Sequence, residues 1–136
     1  SIKPLLFFNA ISGAIAGYLN TNMTSSDPFV YHFHHYLAHS ILLIFFLYLL
    51  YKKYRPTMEE FFRSIIMNFG LLISIVLFNK FFTTNYWFTQ YKPSGTILTL
   101  LFPDWPGYMI VMICIGLIVY TGTYILSSED LANSNK

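Results

Sequence analysis

Four histidines fall within eight residues, in the run Tyr31-His32-Phe33-His34-His35-Tyr36-Leu37-Ala38-His39. Imidazole titrates near neutrality, so it serves as a general acid or base and as a metal ligand. On a helix turning 100° per residue, His32, His35 and His39 share an arc of about 60°, and His34 points the other way. His39 is followed by Ser40 and by Ile41–Tyr51, which is almost purely aliphatic and aromatic. An ionisable group at that depth is costly in hydrocarbon and marks a candidate site. A metal site would need Asp27 or Asp104 as further ligands. General acid–base catalysis is a second reading, centred on His39. The third is an interfacial belt, in which His, Tyr and Phe sit at headgroup level. The belt reading is preferred for His32, His34 and His35, and depth sets His39 apart. No metal or cofactor is expected; His32 and His35 are the residues that would hold a metal.

A second group of polar residues follows. Ser64, Asn68 and Asn79 share one helical face, because 11 residues make close to three turns. Asparagine within a membrane helix serves most often as a hydrogen-bonding link between helices. Asn79-Lys80 and then Thr83-Thr84-Asn85-Tyr86-Trp87 are expected to bring polar groups to the same external side as the histidines, where Lys80 can snorkel to the headgroups. Cys114 lies between Met112 and Gly116, where a buried thiol is usually inert packing. Asn22-Met23-Thr24 fits a glycosylation sequon, a pattern with many chance matches.

The elements that position these residues follow from composition. Of 136 residues, 55% are hydrophobic, 20% aromatic and only 10% charged, against about 25% charged in soluble domains. Such a chain cannot coat a water-facing surface, and it lacks the basic face of a nucleic-acid binder. A single cysteine excludes an internal disulfide framework. The class that remains is an all-α integral membrane bundle in one transmembrane domain.

Four spans are expected, at about 4–19, 31–54, 61–82 and 108–126, followed by a polar tail over 127–136. The first is short and carries Gly13-Ala-Ile-Ala-Gly17, a pattern that lets helices approach closely. A signal peptide is the competing reading, weakened by a single lysine before the apolar run. Lys52-Lys53-Tyr54-Arg55-Pro56 ends the second span, and Thr57 with Glu60 forms a capping box at the start of the third. Turn signals at Lys92–Gly95 and Pro103–Gly107 flank the apolar stretch 96–102, which is expected to enter the membrane as a re-entrant piece or to lie on it. Lys3, Lys52, Lys53, Arg55, Arg63 and Lys136 fall on one side, and only Lys80 and Lys92 on the other. Both termini are therefore expected in the cytoplasm, with the histidine-rich end and the 89–107 loop outside. The expected partners are membrane lipids and other helices or subunits packing on Gly13, Gly17 and Asn68.

These motifs together resemble a known family. His39-Ser40 in a membrane helix, Tyr54-Arg55-Pro56-Thr57, Asn79 with Asn85-Tyr86, and Lys92-Pro93-Ser94-Gly95 are similar to elements of the YwaF/TMEM164 family of polytopic membrane proteins. Pro103-Asp104-Trp105-Pro106-Gly107-Tyr108 meets the following element in part. The resemblance implies transfer of fatty acyl chains between phospholipids by a membrane cysteine and a histidine. By position His39 corresponds to that histidine, with Asn79, Asn85 and Tyr86 orienting groups around it. Members carry more spans than this chain, which resembles their C-terminal part. Cys114 does not match the family's cysteine, which is expected in the preceding spans. The alternative is a non-catalytic subunit of a larger membrane complex.

Overall fold

Among the described residues four helices form where the apolar runs lie: α1 (Lys3–Leu19), α2 (Phe29–Tyr51), α3 (Met58–Phe82) and α4 (Gly107–Ser127), with a 3₁₀ turn at Tyr86–Phe88. The computed structural model describes residues 1–19, 23–92 and 101–127, and among them there is no strand. Asn22 of the sequon, residues 93–95 of the Lys-Pro turn, 96–100 of the apolar stretch and the tail beyond 127 lie outside the described residues.

Helices α2, α3 and α4 are long and apolar enough to cross a membrane. Their 23, 25 and 21 residues run about 31–38 Å at 1.5 Å per residue. The 17 residues of α1 make about 25 Å, short of a hydrocarbon core of about 30 Å. The chain is an integral membrane protein built as an all-α bundle.

The helix ends differ from expectation for local reasons. The second helix stops at Tyr51 instead of Tyr54 because Lys53 turns left-handed, with φ 55°. There the Lys53 N–H donates to the Leu50 carbonyl and the Tyr54 N–H to the Leu49 carbonyl, the bonding pattern of a Schellman cap. The same helix starts earlier than expected, at Phe29 directly after Pro28. The third helix starts at the expected capping box: Thr57 Oγ1 accepts from the Glu60 N–H, and a Glu60 carboxylate oxygen accepts from the Thr57 N–H. It ends at Phe82, as expected, where the capping residue Thr83 turns left-handed at φ 54°.

The short helix is the inner one. It buries Pro4, Leu5, Phe7, Phe8, Ala10, Ala14 and Gly17, whereas α2 buries only Leu49. Phe7 and Phe8 are fully buried at 0% exposure. Phe8 stacks on Tyr120 at 5.0 Å and meets Phe61 edge-on at 5.7 Å; Phe7 packs on Phe46 at 4.9 Å and Tyr54 at 5.1 Å. Aromatic pairs in these geometries gain beyond their buried area. The Tyr120 hydroxyl donates to Asn9 Oδ1 at 2.7 Å, linking α4 to α1. The pairs Gly13–Leu42 and Gly17–His39 run in opposite chain directions, so α1 and α2 are antiparallel. This register brings the end of α1 beside the histidine-bearing half of α2.

The aromatic centre is therefore expected to dominate stability. Phe8→Ala should cost about 3 kcal/mol of unfolding free energy. Leu126→Ala, at an exposed position on α4, should stay within about 0.5 kcal/mol. Denaturation of both variants in one detergent checks the contrast.

Candidate functional site

Glycine makes the seam between α1 and α2 possible. A Cβ built at Gly13 would stand 3.1 Å from Leu42 Cδ1, and one built at Gly17 would collide with the His39 ring. The ring thus occupies the space a side chain would take, and the helix that packs on Gly13 and Gly17 is α2 of the same chain. His39 lies ten residues in from Phe29, about 15 Å along the axis, deeper than a helix starting at Tyr31 would put it.

Around this ring the structure brings several groups together. The His35 and His39 ring centroids are 4.5 Å apart, and Tyr18 lies 6.3 Å from His39. His35 Nε2 donates to the Gly17 carbonyl at 2.9 Å. Gly17 lies in the last turn of α1, where carbonyls lack helical partners. The hydroxyls of Tyr18 and Ser40 share a hydrogen bond of 2.6 Å. His39 Nδ1 is buried and has no hydrogen-bond partner among the described residues. A buried imidazole nitrogen without a partner is a candidate to take a proton or a ligand, and the Gly13 backbone also acts on this ring.

The other histidines behave differently. His32 Nε2 donates to the Thr24 carbonyl at 3.0 Å, closing the turn before α2. In that turn Thr24 donates through its N–H and hydroxyl to Asp27, and these bonds hold the Asp27 carboxyl below its ordinary pKa. His34 is exposed. With Nε2 of His32 and of His35 each given to a carbonyl, neither presents that nitrogen to an ion. Among the described residues no three His, Cys, Asp or Glu side chains cluster as a metal site.

Asn79, Asn85 and Tyr86 build a separate network. Asn79 is buried at 1% exposure. Its Nδ2 donates to the Tyr86 carbonyl at 2.8 Å and to Thr89 Oγ1 at 2.7 Å, while its Oδ1 accepts from Thr84 Oγ1 and the Tyr86 N–H. Asn85 Oδ1 accepts from the N–H groups of Gln90 and Tyr91, and its Nδ2 donates to the Tyr91 carbonyl. These bonds hold Trp87 and Phe88 left-handed, at φ 55° and 53°, a backbone state that costs a non-glycine residue energy. Trp105 Nε1 donates to the Thr89 carbonyl at 3.0 Å, and Lys92 pairs with Asp104 at 2.9 Å. The ammonium beside it keeps the Asp104 carboxyl below its ordinary pKa. None of these hydrogen bonds reaches His39.

Two features were not anticipated from the sequence. A cleft of about 180 Å³ lies between α3 and α4, lined mainly by apolar residues including Leu72, Met112 and Gly116. Asn68 lines it, and its Oδ1 is buried with no partner among the described residues. The Tyr18–Ser40 bond is the other feature; its only sequence signal is the polar pair on facing helices. Cys114 is exposed on α4.

A model of the TMEM164 family matches residues 2–124. No curated protein and no solved structure matches the chain.

Because Asn79 alone makes four of the bonds that shape the 84–89 turn, Asn79→Ala should loosen it. The expected result is faster proteolytic cleavage within 84–92 and a loss of about 2 kcal/mol or more, since several buried polar groups lose their partner. Exposed Lys80→Ala in the same assay should behave as the parent chain.

Proposed function

The chain belongs to the TMEM164 family, and from that premise we propose that it works as a membrane phospholipid acyltransferase centred on His39. The observation that carries this reading is the buried Nδ1 of His39, left without a partner among the described residues. In this role the imidazole takes the proton of a thiol or hydroxyl nucleophile as that group attacks the acyl ester carbonyl. The ester C–O bond then breaks, and the departing glycerol oxygen takes the proton back from the imidazolium. General acid–base help of this kind is worth about 10²–10⁴-fold in rate. Cys114 is exposed on α4, and the Ser40 hydroxyl is bonded to Tyr18. The nucleophile in this reading therefore comes to the His39 ring from further helices or from the acceptor lipid. Asn79, Asn85 and Tyr86 contribute by shaping the loop at the same end of the bundle.

The reading treats the chain as one transmembrane domain with both termini in the cytoplasm and the His39 half of α2 toward the outside. The distribution of lysine and arginine supports that orientation. A second reading is a non-catalytic subunit of a larger membrane complex. The observation that favours it is the unpartnered Asn68 Oδ1, an acceptor suited to a donor from another helix.

The test is acyl transfer from labelled phospholipid to lysophospholipid in proteoliposomes of the natively purified assembly. His39→Ala is expected to lower the rate by about 10²-fold or more while membrane insertion is retained. Unchanged transfer in that variant overturns the acyltransferase reading. Absence of transfer from an assembly of unrelated subunits favours the second.

A further inference from the structure

Gly17 differs from the other helical glycines in what fills the space beside it. A Cβ at Gly70, Gly116 or Gly122 would meet nothing within 4 Å, and one at Gly13 would meet only the mobile end of Leu42. At Gly17 the added atom would overlap Cγ, Nδ1 and Cε1 of His39 together. The same residue also acts through its backbone. Its carbonyl accepts from His35 Nε2 at 2.9 Å, and the His35 ring in turn lies 4.5 Å from the His39 ring. Because a carbonyl can only accept, His35 must carry its proton on Nε2.

We propose that Gly17 and His35 are the positioning residues of His39. The bare Cα of Gly17 forms the floor on which the ring lies, and the Gly17 carbonyl fixes His35 as its side wall. The functional part of this inference rests on His39 being the acid–base group; the seating itself does not. Fixing the ring matters because on a free helix face its χ1 chooses among staggered wells and its χ2 is broad, and misplacement by about 1 Å can cost about 10²-fold in rate.

Two measurements on the full chain test this. The first is nitrogen-15 spectroscopy of the histidine side chains in detergent or nanodiscs, which needs no activity. The His35 ring should show the Nε2–H tautomer. The His39 ring signals should shift in Gly17→Ala and in His35→Ala but stay in place in Gly70→Ala, where the added methyl group meets nothing within 4 Å. His35→Gln, whose amide can still donate to the Gly17 carbonyl, should move His39 less than His35→Ala does. The second measurement is acyl transfer. Gly17→Ala should lower kcat by about 10²-fold and His35→Ala by about tenfold, with KM little changed, and His35→Gln should recover part of the loss.

If Gly17→Ala fails to insert, the two His35 variants decide the matter. An Nδ1–H tautomer at His35, or His39 signals that ignore both Gly17→Ala and His35→Ala, overturns the seating. Seating intact with kcat unchanged in both variants overturns the positioning role. Activity that survives His39→Ala instead overturns the acyltransferase reading, and the spectra still judge the seat.

Discussion

Helices in lipid gain nothing from being driven out of water against one another, because alkyl chains are as apolar as their side chains. They stay together where surfaces fit closely and where polar groups find partners across the gap. In this bundle both kinds of contact converge on α1. Its Phe7 and Phe8 are enclosed by rings from α2, α3 and α4, and its Asn9 receives the Tyr120 hydroxyl. The three longer helices expose most of their apolar surface outward, where lipid can cover it.

That anchor has consequences at the other end. With Phe7 fixed against Phe46 and Tyr54, the antiparallel register of α1 and α2 is set. Residue 17 then falls opposite residue 39, and only glycine there leaves room for the imidazole. The aromatic core near the Lys52–Arg55 turn and the histidine pair near the Phe29 end are thus linked through one short, stiff helix. The loop network around Asn79 is a second rigid unit, closed by its own hydrogen bonds and by the Lys92–Asp104 pair.

Much of this was legible in the sequence. Helix number among the described residues and the capping box at Thr57 and Glu60 follow from hydropathy, spacing and helix-start chemistry, which are local properties. The short Gly13–Gly17 span was recognisable as a close-packing surface, because small residues four apart stand on one helix face. What sequence could not supply was which helix uses that surface: α2 of the same chain fills it. Nor could it separate Asn79 and Asn85 from His39. All three lie toward one end of the bundle, yet side-chain bonding sorts them into different networks. The Schellman turn at Lys53 was hidden because lysine has no preference for the left-handed state it adopts there. The cleft lined by Asn68 arises from helix spacing, a tertiary property with no local signature.

The central claim is that the glycine face of α1 lies directly against His39 inside the membrane. Its most direct test is a paired substitution, Gly17→Cys with His39→Cys in a Cys114→Ser background, oxidised in native membranes. Side chains this close satisfy the short reach of a disulfide. The account predicts loss of both free thiols through an intramolecular bond, while Gly17→Cys paired with exposed His34→Cys stays reduced. Persistent free thiols in the first pair, in chains that are inserted and accessible to the oxidant, would contradict it.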